Sequence, residues 1–464
     1  MRTARAATAA WLALLGGCSM APPYDPPITA TPPAYKNAGN WAEATPRDTE
    51  PRGEWWRAYD DPVLDDLESR IEKASPTLGA ALARHDKARA AITGARADLF
   101  PTVDADASFE RDRASAGRPL ASSSATYNDA IVGGSLSWEI DLWGRVRNSV
   151  KAAKADERAS AADLASVRLA LQADVADAYF GLRGLDAQTL LLQETVDAYS
   201  RAYQLTDKRH SGGIASGLDT NRAQTQLSSV RAQLSDLAIQ RAMAEDAIAA
   251  LVGEIASTFT LMPAPATIEP PAVPNGAPSL LLQRRPDIAA AERRMAAANA
   301  RIGVAKAAFF PTLSLGASGG YEAGGGNLLS APNLFWALGP ASALLNLFDA
   351  GKRHSVTRQA RADFDEAAAD YRSTVLTAFQ EVEDNLAQRT HLVVEAKDQQ
   401  DAANAAQRTR DLAFIRYRDG AADYLEVVTA QTAALDAQRT ALDLHTRRLQ
   451  ASVDAVRVLG GAYD

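Results

Sequence analysis

The sequence predicts an α+β membrane protein in which long coiled-coil helices are joined to short strands, built as an internal twofold repeat. Three observations carry that fold class. Ala307-Ala308-Phe309-Phe310-Pro311-Thr312-Leu313 restates Ala97-Asp98-Leu99-Phe100-Pro101-Thr102-Val103, and Ala430-Gln431-Thr432 restates Ala223-Gln224-Thr225, so the chain is written twice. Four segments alternate apolar and polar residues as strands do. Between and after them run very long stretches with heptad spacing. Each copy keeps one order: a strand pair, a very long helix, a glycine turn, and a second long helix.

Bulk composition agrees. Alanine, arginine, glutamine, leucine and acidic residues dominate and aromatics are only 6%, which suits long helices better than a dense globular core. The net charge is −8, and removing Arg2 and Arg5 with residues 1–17 takes it to −10. That balance, with no basic stripe, excludes a nucleic-acid surface.

The N-terminus reads as a secretory signal over residues 1–17. Arg2 and Arg5 form the basic start, residues 7–15 the apolar run, and Gly16 and Gly17 precede Cys18. Leu15-Gly16-Gly17-Cys18 resembles the lipobox of bacterial lipoproteins, which implies cleavage before Cys18 and lipid on its thiol and new amino group. Cys18 is the only cysteine, so disulfides and a cysteine metal site are excluded. No run of about 18 apolar residues offers a transmembrane helix.

Residues 18–54, with Pro22-Pro23, Pro26-Pro27 and Pro32-Pro33, read as a lipidated, extended tether. The folded body begins at Trp55-Trp56. One helix covers about 63–73, and a second opens at Ser75-Pro76, a cap followed by a first-turn proline, and ends near Leu99. Strands follow at about 100–112 and 128–142. In the first, Val103, Ala105, Ala107 and Phe109 oppose Thr102, Asp104, Asp106, Ser108 and Glu110; in the second, Leu136, Trp138, Ile140 and Leu142 oppose Ser135, Ser137, Glu139 and Asp141. The second copy places strands at about 310–322 and 333–348, the last less regular and containing Pro340. One apolar face fits a sheet that is greasy outside and wet inside. It also fits a half-buried soluble sandwich whose polar residues meet bulk water. Four strands are too few to close a barrel, and an open edge in lipid is forbidden, so membrane entry requires several protomers.

Helices run from about 145 to 210 and 352 to 418, each on the order of 100 Å long, with shorter partners at about 218–252 and 425–459. Leu227, Val230, Leu234, Leu237, Ala244, Ile248 and Leu251 follow heptad steps, with Arg241 breaking the row. Gly212-Gly213 and Gly420 supply the left-handed backbone that ends each long helix. The first repeat therefore spans residues 55–256 and the second 284–464. Proline-rich residues 257–283 link them, and Arg285-Pro286-Asp287 opens the next helix.

Leu281-Leu282-Gln283-Arg284-Arg285-Pro286-Asp287-Ile288, Ala308-Phe309-Phe310-Pro311, Asp141-Leu142-Trp143-Gly144-Arg145 and Thr377-Ala378-Phe379-Gln380-Glu381-Val382 resemble signatures of the outer-membrane factor family. These are the TolC-like exit ducts of bacterial tripartite efflux systems, here the OprM-like lipoprotein branch. The resemblance covers about residues 55–460. It implies a homotrimer, with four strands per chain completing a 12-stranded β-barrel shared between protomers and two hairpins per chain forming an α-helical coiled-coil barrel. Nonhelical parts near 180–190, 253–283 and the termini would form a girdle. Implied partners are a periplasmic adaptor (membrane fusion protein), an inner-membrane pump, proton-driven, and outer-membrane lipid.

No catalytic set or cofactor motif is present. The five histidines are scattered, His391 with Glu395 makes a surface pair rather than a metal site, and Gly324-Gly325-Gly326 lacks the lysine and hydroxyl of a phosphate loop. What remains is access and electrostatics. Asp104, Asp106, Glu110, Glu139 and Asp141 on the strands' polar faces make a negative, cation-favouring lumen if they line water, and solvated outer carboxylates if they do not. The resemblance places a periplasmic gate at Asp219, Tyr417 and Glu426, and adaptor-contacting hairpin tips at Gly213, Ile214, Ala215, Gly420, Ala421 and Ala422. Ala422 and Thr429 depart from relatives that carry a gate arginine and a second acidic ring, so Arg416 and Arg418 are candidate substitutes. The expected function is the outer-membrane exit duct of a tripartite efflux pump. Type I secretion and a pore-free coiled-coil lipoprotein are the alternatives.

Overall fold

The computed structural model describes residues 19–25, 36, 53–117, 124–264, 268–271 and 285–461. The signal segment, Cys18, most of the proline-rich stretch after it, and Leu281-Leu282-Gln283-Arg284 lie outside the described residues. Among the described residues seven α-helices and four strands follow one another, with three short 3-10 turns among them: α1 (Pro62–Ala74), α2 (Pro76–Ala97), β1 (Thr102–Ala114), β2 (Ala125–Ile140), α3 (Arg145–Ser211), α4 (Gly217–Val252), α5 (Pro286–Ala307), β3 (Thr312–Ala323), β4 (Leu334–Leu344), α6 (Lys352–Arg418) and α7 (Tyr424–Val458). The expected boundaries hold to within a few residues because prolines, caps and glycines mark them. Asp61, for example, accepts from the amides of Val63 and Leu64 at the start of α1. None of the described helices is long and apolar enough to cross a membrane.

Two compact units emerge, and each draws on both repeats. The first holds Arg84–Ala161 and Ala290–Arg372, and its centre is one antiparallel sheet in the order β1-β2-β3-β4. Val103 pairs with Leu136, which pairs with Ala317, which pairs with Leu338, so one row of the sheet is wholly apolar. The neighbouring row joins Asp104, Ser135 and Ser318 on the opposite face. Ile131 and Phe335 interrupt that polar face. The less regular fourth segment has a physical cause. Gly339 and Pro340 stand opposite Gly316 in a β-bulge, where a residue without an N–H is tolerated, and the strand stops at Leu344 rather than 348.

In the same unit the first residues after Cys18 are pinned rather than loose. The Ser19 hydroxyl donates to Asn148 Oδ1 at 2.9 Å, Asn299 Nδ2 donates to the Pro22 carbonyl at 3.0 Å, and the Tyr24 hydroxyl donates to Glu292 Oε1 at 2.5 Å. The expectation of a tether beginning directly at Cys18 therefore fails for residues 19–25, which three side chains of α3 and α5 hold in place.

The second unit holds Ala162–Ala289 and Ser373–Asp464 with residues up to Ala83. Its core gathers Trp55, Trp56, Tyr59, Leu64, Leu67, Ile71, Tyr179, Phe180, Val252 and Leu449. Arg241, the break in the heptad row, reaches Asp186 Oδ1 at 2.7 Å and the Leu261 carbonyl at 2.7 Å, while Arg183 donates to Asp186 and to the Met262 carbonyl. Asp186 is almost fully buried, and its two arginines neutralise it there while tying the linker to the first hairpin.

The nonhelical girdle segment expected near 180–190 is not found: α3 runs through it unbroken. The glycines there serve a different purpose. A Cβ at Gly184 would lie 2.3 Å from Thr446 Oγ1 on α7, so the glycine permits close helix packing instead of ending a helix.

Candidate conduit wall and gate

Each long helix closes with the same turn. Gly213 (φ +73) and Gly420 (φ +80) adopt the left-handed conformation, and the next amide bonds back across it, Ile214 to the Arg209 carbonyl at 2.8 Å and Ala421 to the Arg416 carbonyl at 2.8 Å. The following helices begin alike. Ser216 accepts from the Asp219 amide at 3.3 Å, and Asp423 accepts from the Glu426 amide at 3.0 Å. Asp219 and Glu426 are thus the same position of two copies of one motif. Their side chains differ in engagement: Asp219 accepts from the Ser216 hydroxyl at 2.8 Å, whereas Glu426 accepts from Arg416 Nη1 at 2.7 Å.

Tyr417 lies inside this structure, only 5% exposed. Its hydroxyl is 3.1 Å from Thr206 Oγ1 and its ring meets Tyr424 edge-on at 5.2 Å. Arg209 lies 4.8 Å over the same ring and donates to the Tyr417 carbonyl at 2.9 Å and the Arg418 carbonyl at 2.7 Å, so a cation from the first turn closes the helix of the second. Burial, then Tyr417, Tyr199 and Asp219, hold the Tyr424 phenol well above its usual range, so it stays neutral. No hydrogen bond joins Asp219 to Tyr417 among the described residues. At the tips Ile214 is 78% exposed, and Leu218 beside the same turn and Leu425 beside the other are also open.

The five strand acids separate into two groups. Asp104, Asp106 and Glu110 stand exposed on the polar face of β1. Glu139 and Asp141 do not add free charge. Arg145 grips Glu139 at 2.8 and 2.7 Å, and Asp141 accepts from the Arg147 amide at 2.8 Å and its Nε at 3.2 Å. Asp141 lies beyond the end of β2, its side chain 8% exposed, and holds the first turn of α3. Alternation alone placed it on the strand; the arginines six residues on decide otherwise.

A chain of coiled hairpins and an amphipathic sheet with open edges invites comparison with known channels. The family model described as outer membrane efflux protein matches residues 67–254 and 277–461. The chain belongs to the outer membrane efflux protein family. The probable efflux pump outer membrane protein TtgC of Pseudomonas putida is 33% identical over 456 residues, 97% of this chain and 94% of the relative. The pyoverdine export outer membrane protein OpmQ of Pseudomonas aeruginosa is 33% identical over 459 residues, 97% and 95% of the two chains. The solved outer-membrane channel OprN superposes with a TM-score of 0.87 at 30% identity, covering 96% of this chain and all of that one. The open state of the Neisseria gonorrhoeae MtrE channel gives 0.82 at 27%, covering 96% and 99%. This outer membrane efflux protein is therefore a channel protein of the outer membrane that extends into the periplasm, with the α+β architecture its sequence implies; its family is one of channels, not enzymes.

Sequence reasoning missed Arg209, Thr206 and Tyr424. A signal was available for Arg209: it stands 207 positions before Arg416, the offset that also relates the two turn glycines. For Thr206 the sequence held no comparable sign.

Proposed function

We propose that three copies of this chain form the passive exit duct of a tripartite efflux assembly for small molecules, met at its periplasmic end by an adaptor and an energised inner-membrane pump, proton-driven. One observation carries the reading: a sheet whose apolar face is bare, with Phe109, Trp336 and Leu338 69%, 73% and 83% exposed, and whose other face bears Asp104, Asp106 and Glu110. β1 and β4 each lack one neighbour, so the sheet can enter lipid only where copies close it into a cylinder. Relatives named for toluene, antibiotic and pyoverdine transport support small molecules as cargo.

In this reading the duct has a negative lumen that favours cations. The gate is the paired turn, latched inside each chain by Arg209 on Tyr417 and by Arg416 on Glu426. Asp219 acts as the helix-start acid behind it. Gly213, Ile214, Ala215, Gly420, Ala421 and Ala422 form the surface offered to the adaptor, and bare Ile214 supplies its apolar contact. Cys18 carries lipid on its thiol and new amino group.

Reconstitution in planar bilayers tests the proposal. Purified trimers should give heat-resistant β-signal and cation-selective steps. A detergent-free monomer without conductance would sink it.

A further inference from the structure

Along β2, one face of the sheet carries Ile140, Trp138, Leu136, Gly134, Val132 and Ala130 at successive positions, and their partners on β1 and β3 are apolar as well. The ten steps from Ala130 to Ile140, at about 3.4 Å each, give roughly 34 Å along the strand, or about 25 Å of height at a 45° tilt. That matches the lipid-facing band of a membrane barrel. At the next two positions of this face the character changes at once. Arg111 pairs with Asn128 and Arg113 with Thr126.

Both arginines are exposed and have no ion pair among the described residues. Glu110 and Asp112, their sequence neighbours, point to the other face. The segment Glu110-Arg111-Asp112-Arg113 thus sorts charge by face, acid toward the polar side and base toward the apolar side. Random solubilising charge would not be sorted. The helices attach at the opposite end of the sheet, so this rim is the one away from the periplasm. Arginine is costly at a bilayer midplane and tolerated near the interface, which agrees with the place these two occupy.

We propose that Arg111 and Arg113 form, on each protomer, a docking site for the phosphorylated headgroups of the outer-leaflet glycolipid. The proposal rests on the reading that the apolar face meets lipid. The guanidinium fork suits a phosphate, and Asn128 and Thr126 add neutral polar groups beside it. Glu110 and Asp112 repel anions from the water-filled side, so the phosphate reaches this site from the membrane.

Binding of bisphosphorylated lipid A and of fully dephosphorylated lipid A to the full-length trimer in detergent tests this, read by native mass spectrometry. The parent should prefer the phosphorylated lipid. R111Q/R113Q should lose about 25-fold in affinity for it, from ~1 kcal/mol per arginine, and R111K/R113K should keep most of it. A parent that conducts in bilayers but binds both lipids alike overturns the site alone, as does an R111Q/R113Q trimer that conducts and still discriminates. Displacement of lipid A by inorganic phosphate would overturn the lipid as occupant. A parent that never conducts overturns the duct reading and the site together.

Discussion

Arg209 holds Tyr417 twice, its guanidinium 4.8 Å above the ring and one of its N–H groups 2.9 Å from the carbonyl of the same residue. The two turns of the hairpin pair are thereby one mechanical piece, and one side chain crosses between them. Arg209→Met should free two helix-end carbonyls and the ring together, a loss of about 2–3 kcal/mol at the tip. In planar bilayers the closed channel should leak. Parental conductance in that variant would place the latch elsewhere.

The Arg416–Glu426 pair sits more than a third exposed on both sides, so its worth to stability is below about 1 kcal/mol. Its electrostatic effect is larger. Glu426→Gln leaves the arginine charge uncompensated at the tip, and cation preference should fall with little change in melting temperature. Reversal potentials across a salt gradient measure the first, and thermal unfolding of the trimer the second.

Strand acids should divide by partner. Replacing Asp104, Asp106 and Glu110 with their amides should move the reversal potential toward zero. Glu139→Gln should leave it nearly unchanged, because Arg145 already balances that carboxylate, but should loosen the junction between β2 and α3. Equal shifts from both variants would contradict the division.

Glu68 is buried to 1% exposure, and neither carboxyl oxygen has a hydrogen-bond partner among the described residues. Burial, then the nearby Glu72 and Asp65, push its carboxyl up to about 9. A raised folded-state value means stability is full below the ordinary carboxylate range and drains as pH climbs toward 9. Glu68→Leu should therefore stabilise by about 1–3 kcal/mol at pH 8 and much less at pH 5. Melting curves at the two pH values decide it, and identical gains would refute the linkage.

Much of this fold was legible because period and punctuation are local properties. The ends of α3, α4, α6 and α7 fall within about two residues of where Gly213, Gly253 and Gly420 and the caps Ser216 and Asp423 suggest them. What escaped depends on neighbours distant in sequence. Gly184 signals a break or a close approach equally well until Thr446 is seen against it. Arg241 reads as a flaw in the heptads until Asp186 is placed beside it. Tyr417 reads as a gate partner by motif, and its contacts with Thr206 and Tyr424 appear only once the two hairpins are placed together.

A newly made chain must travel with both borders of its sheet unpaired, in the state most prone to fibrous clumping. The bulge at Gly339 and Pro340 gives such a traveller some protection. A stray strand laid along β4 meets the kink of this bulge midway, so it cannot zip to the end in regular register, whereas a sister copy shaped for that interruption can. The same irregularity that blurred the fourth strand in the sequence thus favours correct partners over chance ones during transit.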